Sequence, residues 1–253
     1  VLESSDFDLE SMLRKNLSIL KWDFGGYDGK GNLFLSERTS REEIGEFFKG
    51  AKERNSLVFA EEKIPFVKEL AVQGARNKNG EFCLYPVVES VQENGICRIV
   101  KCSRSEQNSP CYKSILEDLT KLLDELNYVG LLAIELFLLE DGRYFVNEMA
   151  PRVHNSGHYT MDFVLPGQFA THLEAISHRR FSDLEWIQEE MGMLNLISPY
   201  HRPLGDKLDY MVHHLEKLLA PGQFLHWYGK QEAKPGRKIC LLYTSPSPRD
   251  GSI

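Results

Sequence analysis

Two glutamates on one hairpin are the residues of this chain best suited to chemistry. Between Gly130 and Glu148 two apolar runs flank Asp141-Gly142, a strong signal for a two-residue β-turn. Such a turn pairs Glu140 with Arg143, and counting back along both strands sets Glu135 opposite Glu148. Cβ atoms of facing residues lie about 4.5–5.5 Å apart, where like charges repel. The apolar flanks predict strands buried on both faces. Three states answer the repulsion: solvation at the surface, a shared proton, or a divalent cation bound through oxygen. A register slip of one residue would place the two carboxylates on opposite faces and remove the question.

Other polar groups cluster nearby in sequence. Asn147 precedes Glu148, and the loop after it carries Arg152, His154, Asn155, Ser156 and His158. A loop at a strand end is where function collects, and an arginine there can grip a carboxylate or phosphate with two hydrogen bonds. Far upstream, Gly25-Gly26-Tyr27-Asp28-Gly29-Lys30-Gly31 holds four glycines in seven residues, followed by Asn32. Glycines let several backbone N–H groups turn toward one anion. Lys21 just before the loop and Lys30 within it add charge suited to phosphate. The spacing matches no standard phosphate-loop pattern, and an ordinary hairpin tip is the competing reading. Glu61-Glu62-Lys63-Ile64, then Glu69, reads either as a surface charge run or as the wall of a nucleotide cleft. Lys234, Arg237 and Lys238 form a compact basic group, either a solvated turn or a clamp for an anionic substrate.

These groups need elements to hold them. Strands are predicted at 19–22, 33–35, 57–61, 68–76, 82–88, 97–101, 193–197 and 224–227. Ser40 to Glu43 is a capping box opening a helix to about Lys49. Ser109-Pro110 opens an amphipathic helix with a face of Ile115, Leu119, Leu122, Leu123 and Leu126. Phe169, Leu173 and Ile176 suit a helix packed on a sheet, and a further helix is expected from about Asp206 to Leu219. Helices mixed with antiparallel hairpins make the fold class α+β. Hydrophobic residues make up 42% and charged residues 26% of the 253, ordinary for a globular protein. The net charge of −7 argues against a nucleic-acid partner. No apolar run reaches the ~20 residues of a membrane-spanning helix. Five cysteines without a C-x-x-C pair suit a reduced cytoplasmic protein.

Taken together the segments resemble the ATP-grasp superfamily, and within it the purine-pathway enzymes that carboxylate 5-aminoimidazole ribonucleotide. The resemblance is carried by 25–31, Pro65 to Glu69, Tyr85 to Glu89, Asn94 to Ile96, Asn147 to His158, Leu225 to Lys230 and Pro235 to Lys238, in family order. It implies an ATP-grasp fold: a lid at about 16–62 within a domain of 16–180 that has an antiparallel sheet, then part of a small C-terminal domain at 181–239. Residues 1–15 would be the remnant of a linker from a missing N-terminal α/β domain. Residues 240–253 resemble a translated sequencing adapter, to be left out of the fold. The resemblance also implies ATP and Mg2+ as cofactors, with bicarbonate and 5-aminoimidazole ribonucleotide as further substrates and a homodimer as the assembly. Glu135 and Glu148 would hold Mg2+, with Asn147 beside the nucleotide. Lys21 and Gly26, Tyr27, Asp28, Gly29, Lys30, Gly31 and Asn32 would close over the phosphates. Glu61, Glu62, Lys63 and Ile64 would meet adenine, and Glu69 the ribose. Arg152 would act at the bicarbonate or carboxyphosphate site, with His154 and Asn155 on substrate. Lys234, Arg237 and Lys238 would take the 5′-phosphate. Gln92 stands where relatives often carry a histidine, and Ala150 where biotin-carboxylase-type members place an asparagine. Such a shortened chain is expected to turn over poorly; the alternatives are another ATP-grasp carboxylate–amine ligase or a module that binds nucleotide without turnover.

Overall fold

The computed structural model describes residues 7–25, 31–93, 95–198, 202–203, 214, 217, 219–230 and 232–244. Gly26, Tyr27, Asp28, Gly29 and Lys30 of the glycine-rich loop lie outside these residues, as do most of the helix expected at 206–219 and the tail beyond Thr244. The chain divides into two compact units: one runs up to Pro65 and includes Gly95 and Ile96, the other holds Phe66–Glu93 and Cys97 onward.

The first unit contains helix α1 (Leu9–Arg14), strands β1 (Leu17–Trp22) and β2 (Asn32–Phe34), helix α2 (Arg41–Glu53) and strand β3 (Val58–Glu62). Its sheet has the order β2-β1-β3, with β1 antiparallel to both neighbours. The capping box forms as predicted: Glu43 N–H donates to Ser40 Oγ at 3.1 Å, and Ser40 N–H to Glu43 Oε2 at 2.7 Å. Leu20, Leu35, Ile44, Phe48, Ala51 and Val58 make the core. Phe7, Leu9, Met12 and Leu13 pack on it, so the described part of 1–15 is packed into this unit.

The second unit is built on β4 (Lys68–Arg76), β5 (Phe82–Leu84), β6 (Val88–Glu93), β7 (Ile96–Ser103), α3 (Pro110–Glu125), β8 (Gly130–Leu138), β9 (Tyr144–Ala150), β10 (Val164–Leu165), α4 (Gln168–Ile176), β11 (Glu185–Trp186), β12 (Glu190–Ile197), β13 (Arg202–Pro203), β14 (Phe224–Trp227), β15 (Glu232–Ala233) and β16 (Lys238–Thr244). The main sheet runs β14-β16-β12-β7-β6-β4-β8-β9, with β5 also paired to β4. Alternation along β8 sorts its side chains. Leu132, Ile134 and Leu136 pack under α3 with Tyr112, Ile115, Leu119 and Leu123. Leu131, Ala133 and Glu135 face the other way, toward the turn after β9. Leu126, predicted on the buried face of α3, is exposed.

In the segment 181–239, β12 pairs with β7 and extends the main sheet. Two expectations need correction here. The segment from Cys240 to Thr244 lies within the fold, because β16 pairs with β12 and β14 and buries Cys240, Leu241 and Tyr243. Helix α4 meets the sheet through Gln168, Thr171 and Ala175, while Phe169, Leu173 and Ile176 are exposed. Periodicity located an apolar stripe correctly but could not say that small and polar residues fit the close approach.

Candidate functional site

Glu135 and Glu148 do face each other, for a reason different from the predicted one. The hairpin loop has three residues, Glu140, Asp141 and Gly142, closed by Leu139 N–H on Arg143 O at 2.8 Å. Gly142 adopts a φ of +84°, which a three-residue loop of this kind demands at its last position. That loop pairs Leu136 with Val146, which alone would set Glu135 against Asn147. The register then shifts by one residue between Glu135 and Leu136, Asn147 is left as a bulge, and Glu135 meets Glu148. Two departures from the simple hairpin cancel. β8 is buried as predicted, but β9 is an edge strand whose Phe145, Val146 and Met149 are exposed.

The two carboxylates sit in unlike settings. The Glu135 side chain is 12% exposed and that of Glu148 58%. Burial raises the Glu135 pKa; His154 opposes this, Glu148 adds to it and Lys238 lowers it. Glu69 points from β4 to the same face, because Ala71 pairs with Glu135 and Glu69 with Phe137. Burial, helped by Glu135, pushes Glu69 up to about 7. The sheet thus gathers acidic groups on one face, with Glu135 and Glu69 partly shielded from solvent and Glu148 open to it. A divalent cation matches this donor set, since hard carboxylate oxygens and a partly desolvated charge favour one.

The turn after β9 closes over this face. His154 lies between the glutamates, with Nδ1 3.7 Å from Glu135 Oε1 and Nε2 3.5 Å from Glu148 Oε1. Gln168, fully buried at the start of α4, holds the turn: its Oε1 accepts His154 N–H and its Nε2 donates to His154 O, both at 2.9 Å. Its Nε2 also lies 2.9 Å from His158 Nδ1. Burial, then His154, Lys238 and His226, hold the His158 pKa down at about 4. Asn155 exchanges amide hydrogen bonds of 3.1 Å with the buried Asn195 of β12. At the end of the turn Asp162 meets His226 at 2.7 Å. Gln168, Asn195, Asp162 and His226 were not singled out from sequence. A buried glutamine beside a glycine carries no spacing signal.

The other predicted residues fall into three groups. In the first unit Lys21 forms an ion pair with Glu61, while Gly31 accepts from Trp22 N–H and Asn32 pairs with Lys21 across the strands. Glu62 ends β3, with Lys63 and Ile64 directly after it. In the second unit Gln92 folds back onto Ser90 Oγ at 2.8 Å. Arg152 is exposed and donates to Val153 O at 2.9 Å. Lys234 pairs with Glu232 at 3.5 Å, and Arg237 donates to the Glu232 carbonyl at 3.3 Å. Of the basic group, Lys238 is the member whose charge reaches Glu135. The geometry therefore joins Glu69, Glu135, Glu148, His154 and Lys238 in one neighbourhood.

The ATP-grasp domain profile matches residues 5–169, and the phosphoribosylaminoimidazole carboxylase C-terminal domain profile matches residues 192–240. An N5-carboxyaminoimidazole ribonucleotide synthase from Haemophilus influenzae is 37% identical over 223 residues, covering 87% of this chain and 55% of its own length. The enzyme of that name from Bacillus subtilis is 35% identical over 234 residues, covering 92% and 57%. A crystal structure of the N5-carboxyaminoimidazole synthase from Aspergillus clavatus, in complex with ADP and 5-aminoimidazole ribonucleotide, superposes with a TM-score of 0.76 at 28% identity, covering 96% of this chain and 61% of that one. The chain spans a little over half the length of these relatives. Its two-unit architecture, its paired strand carboxylates and a profile match across most of its length lead to one assignment: the chain belongs to the ATP-grasp family.

Proposed function

We propose that this chain is the nucleotide-binding portion of an ATP-dependent carbon–nitrogen ligase that carboxylates 5-aminoimidazole ribonucleotide with bicarbonate in cytoplasmic purine synthesis. The observation that carries the reading is the pairing of Glu135 with Glu148 beside the turn that holds Arg152, His154 and Asn155. In this reading a bicarbonate oxygen attacks the γ-phosphorus of ATP, releasing ADP and forming carboxyphosphate. The exocyclic amine then attacks its carbonyl carbon, phosphate leaves, and a proton leaves the nitrogen.

Each group on the chain has a task in that sequence. Glu135 and Glu148 would hold Mg2+, with Asn147, the bulge residue of β9, beside the nucleotide. When bound, that ion offsets charge on the phosphoryl group in transfer. Lys21 and the 26–32 loop would cover the phosphates and exclude water from the short-lived acyl phosphate. Glu61, Glu62, Lys63 and Ile64 would contact adenine, Glu69 the ribose, and Gln92 the nucleotide. Arg152 would orient bicarbonate, His154 and Asn155 the substrate, and Lys234, Arg237 and Lys238 its 5′-phosphate. A homodimer is part of this reading, supported by the exposed apolar stripe of Phe169, Leu173 and Ile176.

The test is ADP release from a chain extended at both ends to the length of its relatives. Release must depend on both bicarbonate and 5-aminoimidazole ribonucleotide. ADP formation indifferent to either would refute the reaction, and an unchanged rate in Glu135→Gln and Glu148→Gln would refute the metal assignment.

A further inference from the structure

The backbone of the turn after β9 decides which way the Gln168 amide points. His154 has extended backbone, φ −133° and ψ 156°, immediately before the short 3-10 helix Asn155–Met161. Its N–H can only donate and its C=O can only accept. Gln168 Oε1 therefore meets the first and Nε2 the second, both at 2.9 Å. The second hydrogen on Nε2 is aimed at His158 Nδ1, also at 2.9 Å. That ring nitrogen must accept, so the single ring proton of a neutral His158 sits on Nε2. The Gln168 backbone is tied to the same turn: its N–H donates to Thr160 Oγ1 at 2.8 Å, and that hydroxyl donates to Gly157 O at 2.7 Å. Gln168 and Thr160 are fully buried, so a lost partner leaves a polar group unpaired and out of reach of water.

We propose that Gln168 is a positioning residue for the ribonucleotide substrate: by holding both backbone groups of His154 and Nδ1 of His158, it sets the direction in which the His154 ring leaves the turn. The inference rests on the reading above, in which His154 and Asn155 orient that substrate. Asn155 is pinned independently by Asn195. Loss of the Gln168 amide thus loosens one substrate contact and leaves the other in place. His158 serves this scaffold as a fixed acceptor and donates no proton through Nδ1. A carboxylate of the same length at position 168 could still accept from His154 N–H, yet it would offer nothing to the two acceptors.

Two measurements test the assignment. Nitrogen NMR of the histidine rings in this chain is expected to show His158 neutral with its proton on Nε2, and Gln168→Glu should place a proton on Nδ1. In the chain extended to the length of its relatives, Gln168→Met should raise the KM for 5-aminoimidazole ribonucleotide about tenfold or more and change the KM for ATP by less than about twofold. A residue that only supports folding would lower kcat through loss of active enzyme and leave every KM alone. A wild-type His158 with its proton on Nδ1 overturns the proposal even if no variant folds. Unmoved KM values in an active Gln168→Met enzyme, or equal rises in both, overturn it while the functional reading stands. A wild-type extended chain whose ADP release ignores the ribonucleotide defeats that reading instead, and the inference with it.

Discussion

Replacing Gly157 with alanine tests how the turn seats on the sheet. An alanine Cβ at 157 would lie 1.8 Å from Gln73 Nε2, 2.2 Å from Oε1 and 2.3 Å from Cδ. Gln73 is 2% exposed, and neither amide atom has a hydrogen-bond partner among the described residues. The Gln73 side chain is buried, so Gly157→Ala should act as overpacking and cost about 1–3 kcal/mol. Gln73→Ala alone forfeits roughly 0.8 kcal/mol from one buried methylene and relieves an unpaired amide worth about 1–3 kcal/mol, so it should be neutral to slightly stabilising. In the Gln73→Ala background the Gly157→Ala cost should fall to within about 0.5 kcal/mol, a coupling of about 1–2 kcal/mol. Urea denaturation of the four proteins measures the cycle. An equal cost of Gly157→Ala in both backgrounds would refute the account of this contact.

Further predictions follow from charge and turn geometry. Glu69 has its folded pKa raised from 4.5 to about 7, so the folded state binds more protons in that window. Its contribution to stability is present below 4.5 and lost as pH rises toward 7; the fall in urea midpoint from pH 5 to pH 7.5 should shrink in Glu69→Gln. His158 is held at about 4 by burial, so its ring should stay neutral from pH 8 to 5 by NMR, and the stability it contributes should be lost as pH drops from 6.5 toward 4. Gly142→Ala forces a side chain into positive φ and should cost about 1–2 kcal/mol in thermal or urea unfolding, whereas an unchanged midpoint would rule out the three-residue loop.

Much of this arrangement was legible in the sequence, for identifiable reasons. The strand at 68–76 and the helix after Ser109 follow from alternation, helical periodicity and an N-terminal cap, all local signals. The facing of Glu135 and Glu148 was legible only by coincidence. A longer turn moved the register by one residue, and the Asn147 bulge moved it back. Bulges depend on how a strand sits in the whole sheet, which an isolated hairpin does not encode. The place of His154 between the glutamates was not legible, because it is set by Gln168, fourteen residues later, and by Ser156. Helix α4 misled for a related reason: its buried face is made of Gln168, Thr171 and Ala175, and periodicity favours the apolar stripe instead.

The central claim is that Glu135 and Glu148 together bind a divalent cation that carries the nucleotide. Calorimetric titration of ATP into this chain, with and without Mg2+, tests it most directly. The account predicts Mg2+-dependent affinity, and a loss of about tenfold or more, at least about 1.4 kcal/mol, in Glu135→Gln and in Glu148→Gln. ATP binding of equal strength with and without Mg2+, unchanged in both variants, would contradict it.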